Sequence, residues 1–249
     1  MKKILIISLT ALFIQVKAQI LNVESFRIKT DTTGLAGKMG LNFALTKNTQ
    51  SLISIGTNIH IQYKTKRSLY LLYGNYNLLS SESQKLVDNS VFHIRYNYKI
   101  NKIWRWEFFV QGQKNSVSKI EFRGLVGTGI RIKLSKNDKF RYYFGSTSMY
   151  EHETQSGGQI VELWRWSNYF SMSLFPTKTF SFISTTYYQP AFSHFSDYRI
   201  ASQNSLISKI TDKLAFKTGF NLNYDAQPVI GIPKLQYNLI SGILYSFGK

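Results

Sequence analysis

The fold is decided by the stretch FHIRYNYKI, residues 92–100. Every even-numbered residue in it is aliphatic or aromatic, whereas the residues between them are His93, Arg95, Asn97 and Lys99. Because successive side chains of a β-strand point to opposite faces, this alternation predicts a strand with one apolar and one polar face. Strands of this kind, about ten residues long, are typical of membrane β-barrels, in which one face contacts lipid and the other faces the lumen.

The same alternation recurs along most of the chain, whereas helical periodicity is missing. A chain of about 230 residues after export gives roughly 19 residues per strand and connection, which suits twelve strands joined by short turns. The sequence therefore predicts an all-β fold, a transmembrane antiparallel β-barrel of about twelve strands, over residues 35–249. The predicted strands lie in residues 35–46, 53–64, 70–78, 92–100, 104–111, 122–134, 140–145, 164–174, 180–188, 198–210, 214–224 and 235–247.

Residues 1–18 are predicted to be a cleaved signal peptide. A basic start at Lys2 and Lys3 precedes an apolar run from Ile4 to Val16, and Val16-Lys17-Ala18 supplies the cleavage site. The apolar run is shorter than the roughly 20 residues of a transmembrane helix, which disfavours the alternative of an anchored amino-terminal helix. Residues 19–34 then form an amino-terminal extension or a capping strand.

The composition is strongly basic and rich in aromatic residues. The 249 residues carry a net charge of +18, aromatics make up 15% of them, and cysteine is missing. So many aromatics exclude a disordered chain, and the lack of cysteine excludes disulfides and thiolate metal sites. Removal of the signal peptide lowers the net charge to +15. An exported protein meets no chromosome, so we expect no nucleic-acid partner despite the charge.

The predicted lumen collects most of the strand cations. Glu107 is the only acid that the pattern places well inside a strand, while Glu151, Glu153 and Asp225 lie in predicted turns or near outer loops. A ring of Arg and Lys selects anions, which makes a small anion-preferring pore one interpretation. A packed interior is the other, because twelve strands fall between filled small barrels and the sixteen-stranded porins. The lumen-lining candidates are Lys38, His60, His93, Arg95, Arg105, Glu107, Arg123, Arg131, Arg141 and Lys217.

Two tryptophan pairs alternate outward and predict the aromatic girdles of a membrane barrel. Trp104 and Trp106 come early in a strand that leaves the periplasm, and Trp164 and Trp166 early in a strand that descends from an outer loop. The alternative is a stacking platform for a sugar or a base. The outward alternation favours the girdles.

The connections are predicted to alternate between short periplasmic turns and longer outer loops. The hairpin around Asn101 is constrained further, since the apolar residues on both of its strands are even-numbered. Its loop must therefore hold an odd number of residues, such as three, which places Arg95 opposite or diagonal to Glu107, within ion-pair reach. The longer loops are predicted at residues 80–89, 114–120, 152–159, 190–197 and 225–234.

A catalytic site at the outer rim is the main alternative to a non-enzymatic barrel. His152 could act with Glu151 or Glu153, and His194 with Ser193 and Asp197. Such groups are ordinary in polar loops, so no catalytic residue, no cofactor and no metal site is predicted.

Three stretches resemble a known family. They are FHIRYNY at residues 92–98, YYFGSTSMYEHE at 142–153, and YYQP at 187–190 followed by DYRI at 197–200. They resemble the salt-induced outer-membrane protein family, the domain-of-unknown-function group numbered four-eighty-one, and the resemblance runs over roughly residues 35–247. It implies a Bacteroidota-type outer-membrane barrel and no catalytic residues.

The sequence thus predicts a structural or stress-related barrel of the cell outer membrane with a narrow basic lumen. A lipid- or lipopolysaccharide-modifying enzyme with a site at the extracellular rim is the alternative function. The expected partners are outer-membrane lipid, lipopolysaccharide and, during insertion, the barrel-assembly machinery. The expected oligomeric state is a monomer.

Overall fold

The computed structural model describes residues 33–47, 51–82, 84–135, 137, 139–177, 179–211 and 214–245, and for residues 244 and 245 it describes the backbone only. The predicted signal peptide, residues 1–18, lies outside the described residues. Of the predicted extension at 19–34, only residues 33 and 34 are described, and Gly34 begins the first strand.

The described residues form twelve strands, as the sequence predicts, and successive strands pair antiparallel in a single sheet. No helix among them is long and apolar enough to cross a membrane. The strands are β1 (Gly34–Lys47), β2 (Ser51–Lys64), β3 (Ser68–Ser81), β4 (Lys85–Lys99), β5 (Trp104–Asn115), β6 (Ile120–Lys133), β7 (Phe140–Gln155), β8 (Ile160–Leu174), β9 (Phe180–Pro190), β10 (Tyr198–Lys209), β11 (Leu214–Asp225) and β12 (Leu235–Tyr245).

The β4–β5 hairpin has the register that the alternation requires. The backbone N–H of Ile100 donates to the carbonyl oxygen of Trp104 at 3.1 Å, which leaves a loop of residues 101–103. Asn97 is the register partner of Glu107, and Arg95 is the partner of Phe109. Arg95 and Glu107 are therefore diagonal neighbours, and the predicted odd-numbered loop and ion pair are both confirmed.

Side-chain contacts between distant strands show that the sheet curls into a barrel. The hydroxyl of Tyr169 in β8 donates to Glu107 in β5 at 2.7 Å. Arg199 in β10 donates to Glu153 in β7 at 3.1 Å. In each pair the two strands lie three places apart in the sheet order, so their inward side chains meet across an enclosed interior.

The two faces of the strands differ as the sequence predicts. In β4, Ile94 points outward and is 45% exposed, whereas His93 beside it is buried inside. Aliphatic and aromatic side chains form much of the exterior, and charged and amide side chains fill the interior between β3 and β10. The interior is therefore mostly polar, with small apolar groups such as Phe109, Leu125 and Met149 packed within it, and much of the surface is apolar.

Three of the predicted longer loops are shorter than expected, because strand residues occupy part of each. Connections 82–84, 116–119 and 156–159 are short, because β4 begins at Lys85 and β7 continues to Gln155. A strand of about 9–11 residues suffices to cross the bilayer, so strands of 14 to 16 residues extend beyond it, where the lipid no longer requires apolar outward residues. Connections 191–197 and 226–234 are the longer ones that the sequence predicts correctly.

Candidate functional site in the barrel interior

A buried carboxylate, Glu107, organises the interior near the short turn between β4 and β5. Its Oε2 lies 3.4 Å from Nη1 of Arg95, and its Oε1 lies 3.6 Å from Nη1 of Arg131. The Tyr169 hydroxyl donates to the same carboxylate from across the barrel. These four side chains come from β4, β5, β6 and β8, and we call them the Glu107 cluster. The sequence predicts three of them, and Tyr169 is the one that it misses.

Glycine makes room for Tyr169 in this layer. Gly145 lies beside the Tyr169 ring, and a Cβ built on Gly145 would come within 2.1 Å of that ring. The inward ring therefore requires a residue without a side chain at this position of β7.

A second cluster of charged side chains fills the interior nearer the long loops. Nε of Arg123 lies 2.7 Å from Glu151, and Arg165 and Arg199 also contact the Glu151 carboxylate. Arg199 further contacts Glu153 and, at 2.8 Å, Asp225. The six members of this Arg199 cluster are buried: Arg123, Arg165, Arg199, Glu151, Glu153 and Asp225.

The Arg199 cluster corrects the predicted charge of the lumen. The sequence predicts Glu151, Glu153 and Asp225 in turns or near outer loops, and Glu107 as the only acid well inside a strand. The three acids are interior because β7 and β11 are longer than predicted and their odd-numbered residues continue to face inward. Three guanidinium groups therefore face three carboxylates, and this layer is balanced rather than basic.

Arg165 and Arg199 are absent from the sequence-predicted site. The alternation could have predicted that both arginines face inward, because each is an odd-numbered residue flanked by outward apolar or aromatic residues. Their partners are not signalled in that way, because the contacts depend on how the sheet curls.

The other predicted lumen residues divide into packed and exposed ones. His60 packs edge-on against Tyr73, and His93 stacks on Phe109 while Nδ1 of His93 lies 2.9 Å from the Gln111 side chain. The remaining four are in less enclosed positions. Arg105 lies over the Tyr143 ring, Arg141 lies over the Phe175 ring, and Lys38 and Lys217 are exposed.

A narrow cavity separates the two clusters. It has room for about one water molecule. His93, Arg95, Phe109, Gln111, Leu125, Thr147, Met149, Ser167, Tyr169, Tyr187 and Gln189 line it.

The two longer connections are attached to the barrel end above the Arg199 cluster. Nη1 of Arg165 donates to the Asp197 carboxylate at 3.1 Å, which holds the 191–197 connection against the interior. Nζ of Lys119, in the β5–β6 turn, donates to the backbone carbonyl of Ile230 at 3.0 Å. The 226–234 connection is thereby joined to a turn six strands away in the sheet order.

The rim groups proposed from the sequence do not come together as expected. Glu151 and Glu153 point inward, whereas His152 points outward, because adjacent residues of a strand face opposite sides. His152 instead pairs with Glu162 of β8 at 2.8 Å. Asp197 faces Arg165 rather than the exposed His194. In the part of the chain that the structure describes, no group of three His, Cys, Asp or Glu side chains suits a metal ion.

The tryptophan pairs are exposed on the outside. Trp104 begins β5 at the short-turn end, and Trp164 lies near the long-loop end of β8. The indole N–H groups of Trp106 and Trp166 donate to outward hydroxyls of Thr128 and Ser146, each at 2.8 Å.

An antiparallel barrel with an apolar exterior and a charged interior defines a transmembrane β-barrel. The model of the family described as "Protein of unknown function, DUF481" matches residues 37–247. The chain therefore belongs to that family.

The chain is also similar to two solved porin structures. One is titled "NanC porin structure in rhombohedral crystal form", with 8% identity, a TM-score of 0.49, and coverage of 86% of this chain and 98% of that one. The other is titled "KdgM porin in complex with disordered oligogalacturonate", with 10% identity, a TM-score of 0.43, and coverage of 86% and 100%. No curated protein sequence matches the chain. At these identities neither porin's ligand is transferred to this chain.

Proposed function

We propose that the protein is a structural barrel of the outer membrane whose lumen is closed by its own charged side chains. The observation that carries this proposal is the contact of Arg199 with Glu151 and Glu153 across the barrel. A side chain that crosses the interior and is held by two carboxylates blocks the route that a solute would take. Of the two interpretations of the lumen, the packed interior has the stronger support.

The charge balance argues against an anion-preferring pore. Selectivity for anions requires cationic groups that are free to bind the passing ion. The guanidinium groups of Arg123, Arg165 and Arg199 are each bound to carboxylates of the protein. Cations at the short-turn end, such as Arg105 and Lys133, would lead an anion only as far as the Glu107 cluster.

The exterior supports placement in a lipid bilayer. Outward residues such as Phe92, Ile94 and Phe108 have exposed hydrophobic side chains. Contact of such side chains with water is unfavourable, whereas contact with lipid is favourable. Together with the predicted signal peptide, this surface supports the outer membrane as location. The expected partners are then outer-membrane lipid, lipopolysaccharide and the barrel-assembly machinery, with no role for nucleic acid.

Planar-bilayer recording of the refolded barrel tests the closed lumen. We expect no conductance steps from the protein at either polarity in 1 M salt. At that concentration surface charges are screened beyond about 3 Å, so they do not influence the recording. A commercially available open porin, reconstituted in parallel, controls for insertion. Reproducible steps with anion selectivity would overturn the closed barrel in favour of the small pore.

A rim enzyme is the second candidate, and it has one observation in its favour. Nδ1 of His152 lies 2.8 Å from Glu162 on the outward face, and a carboxylate in this position orients a histidine for general-base catalysis. The substrate class would be an acyl ester of a membrane lipid, hydrolysed by water that His152 activates. His152→Ala should abolish any deacylase activity while His194→Ala retains it, and unchanged lipid profiles in both variants would count against this candidate.

A further inference from the structure

Three cations lie side by side on the lumen face at the short-turn end of the barrel. Lys99 of β4 is the register partner of Arg105 of β5, and Arg105 is the register partner of Arg131 of β6. Direct partners share a face and have Cβ atoms about 4.5–5.5 Å apart, so the three side chains form a row roughly 10 Å long. We call Lys99, Arg105 and Arg131 the cation row. Lys133, two residues further along β6, adds a fourth positive charge on the same face.

The cation row lacks the acids that balance the other charged layers of the interior. Arg131 contacts the Glu107 carboxylate, which it shares with Arg95. Among the described residues, no carboxylate lies within ion-pair distance of Lys99 or Arg105, and Glu107 is the only acid at the short-turn end. Like charges that lie directly opposite each other destabilise a sheet. Proteins accept local conflicts of this kind chiefly at functional sites, so the row points to an anionic ligand.

Tyr143 positions the two arginines of the row. Cζ of Arg131 lies 3.9 Å from the centroid of the Tyr143 ring, and Cζ of Arg105 lies 5.7 Å from the same centroid. The N–H groups of a guanidinium lie in its plane, so packing over a ring leaves them available to a ligand. Arg105 is half-buried and Lys99 is exposed, which makes the row accessible from the short-turn end. A recess lined by charges of one sign also concentrates counter-ions.

We propose that the cation row is a binding site for a soluble compound that carries two or more phosphate groups. Guanidinium groups bind phosphate oxygens bidentately, and lysine binds phosphate as a point charge. A single carboxylate would leave the repulsion between the remaining cations, whereas linked phosphates can contact all three. The headgroups of lipids carry phosphate too, but the strands separate the row from the bilayer, since Trp104 and Trp106 are exposed on the opposite face of β5. This site goes beyond the structural role proposed above, and it does not depend on whether the lumen conducts.

Calorimetric titration of the refolded barrel with sodium tripolyphosphate in a nonionic detergent tests the site. We expect saturable binding of one tripolyphosphate per chain. Lys99→Gln with Arg105→Gln should weaken the binding roughly tenfold or more, because charge-assisted hydrogen bonds to the ligand are lost. The matched control is Arg67→Gln with Lys102→Gln, which removes the same residue types from exposed turns at the same end and should change the affinity less than about twofold. A lack of binding, or equal weakening in both double variants, would overturn the proposal.

Urea unfolding with and without tripolyphosphate separates a bound ligand from a general salt effect. A ligand that binds only the folded barrel raises the urea midpoint. The rise should occur in the parent protein and in the turn variant, and it should be missing in the cation-row variant. Heat-dependent gel mobility shows whether each variant is folded, and Lys99→Gln alone, which changes one exposed side chain, repeats the test if the double variant is not. An equal rise in all proteins would show a salt effect only and contradict the site.

The source of the phosphate is tested in the same micelles. Phosphatidylglycerol added at the concentration of tripolyphosphate should not displace it, because the lipid remains on the outer face of the strands. Displacement at equal concentration would assign the cation row to a lipid headgroup and overturn the soluble ligand.

Discussion

Glu107 is 0% exposed, so its ion-pair partners decide whether its carboxyl group stabilises the barrel. Arg95, Arg131 and Tyr169 approach it from three other strands. Removing one partner from a buried ion pair leaves the remaining charges unpaired in a poorly solvated site. At the residue scale, we therefore expect substitution of an interior carboxylate to reduce the stability of the barrel strongly.

Glu107→Ala is expected to lower the free energy of unfolding by about 3–5 kcal/mol, because the buried guanidinium groups of Arg95 and Arg131 lose this carboxylate. Urea unfolding in lipid vesicles, followed by tryptophan fluorescence, measures the change. Glu121→Ala, which removes an exposed carboxylate at the loop end of β6, is the matched control and should cost about 0–1 kcal/mol. Similar losses in both variants would contradict the role assigned to the Glu107 cluster.

Gly145→Ala tests the close approach of the Tyr169 ring. The added Cβ would lie 2.1 Å from that ring, and overpacking of this kind costs about 1–3 kcal/mol. Gly74→Ala is the control, because nothing lies within 4 Å of a Cβ at that position. Unfolding in urea should distinguish the two variants, and an unaffected Gly145→Ala protein would show that the ring has room to move.

At the scale of strands and turns, one salt bridge joins two neighbouring connections. Nζ of Lys47, at the end of β1, lies 2.8 Å from Glu82 in the β3–β4 connection, and Glu82 also accepts the backbone N–H of Ser51. The hydrogen bond from Lys47 holds the pKa of Glu82 below its ordinary value, and the bonds from Ser51 act in the same direction. Because the folded pKa is the lower one, the contribution of Glu82 to stability is present at neutral pH and is lost as pH falls through that pKa.

Lys47→Met should raise the pKa of Glu82 toward its ordinary value. An NMR titration of the Glu82 carboxyl carbon measures the midpoint, and Lys85→Met, which removes a lysine at the same end of the barrel, supplies the comparison. The midpoint should move up in the first variant and stay in the second. If both variants shifted it equally, general surface charge rather than the Lys47 bond would be the cause.

The register of neighbouring strands could be predicted from the sequence, whereas the ends of the strands and the contacts across the interior could not. The alternation at residues 92–100 and the parity of the flanking hairpin correctly predict the register of β4 with β5, because both follow from local geometry. The ends of β4 and β7 escape the same reasoning, since strands that leave the lipid lose the apolar signal. Glu151 and Glu153 were misplaced for that reason. The pairing of Arg199 with Glu153 depends on the curl of the sheet, which no local pattern encodes.

Over the whole molecule, two charged layers lie one behind the other along the lumen. The Glu107 cluster lies nearer the short turns, and the Arg199 cluster nearer the long loops. A narrow cavity lies between them. In the proposed closed lumen each layer blocks the path on its own, so closure does not depend on a single layer.

This arrangement predicts how the lumen can be opened. The variant Arg199→Ala with Glu153→Ala removes one positive and one negative group from the Arg199 cluster, and Arg131→Ala with Glu107→Ala does the same in the Glu107 cluster. Each double variant should remain silent in planar bilayers, because the other layer still closes the path. The fourfold variant should give conductance steps with weak ion selectivity, since the substitutions remove as many cations as anions.

Heat-dependent gel mobility must show a folded barrel in all three variants. Conductance in either double variant would assign the closure to that layer alone, and a folded but silent fourfold variant would contradict the role of both.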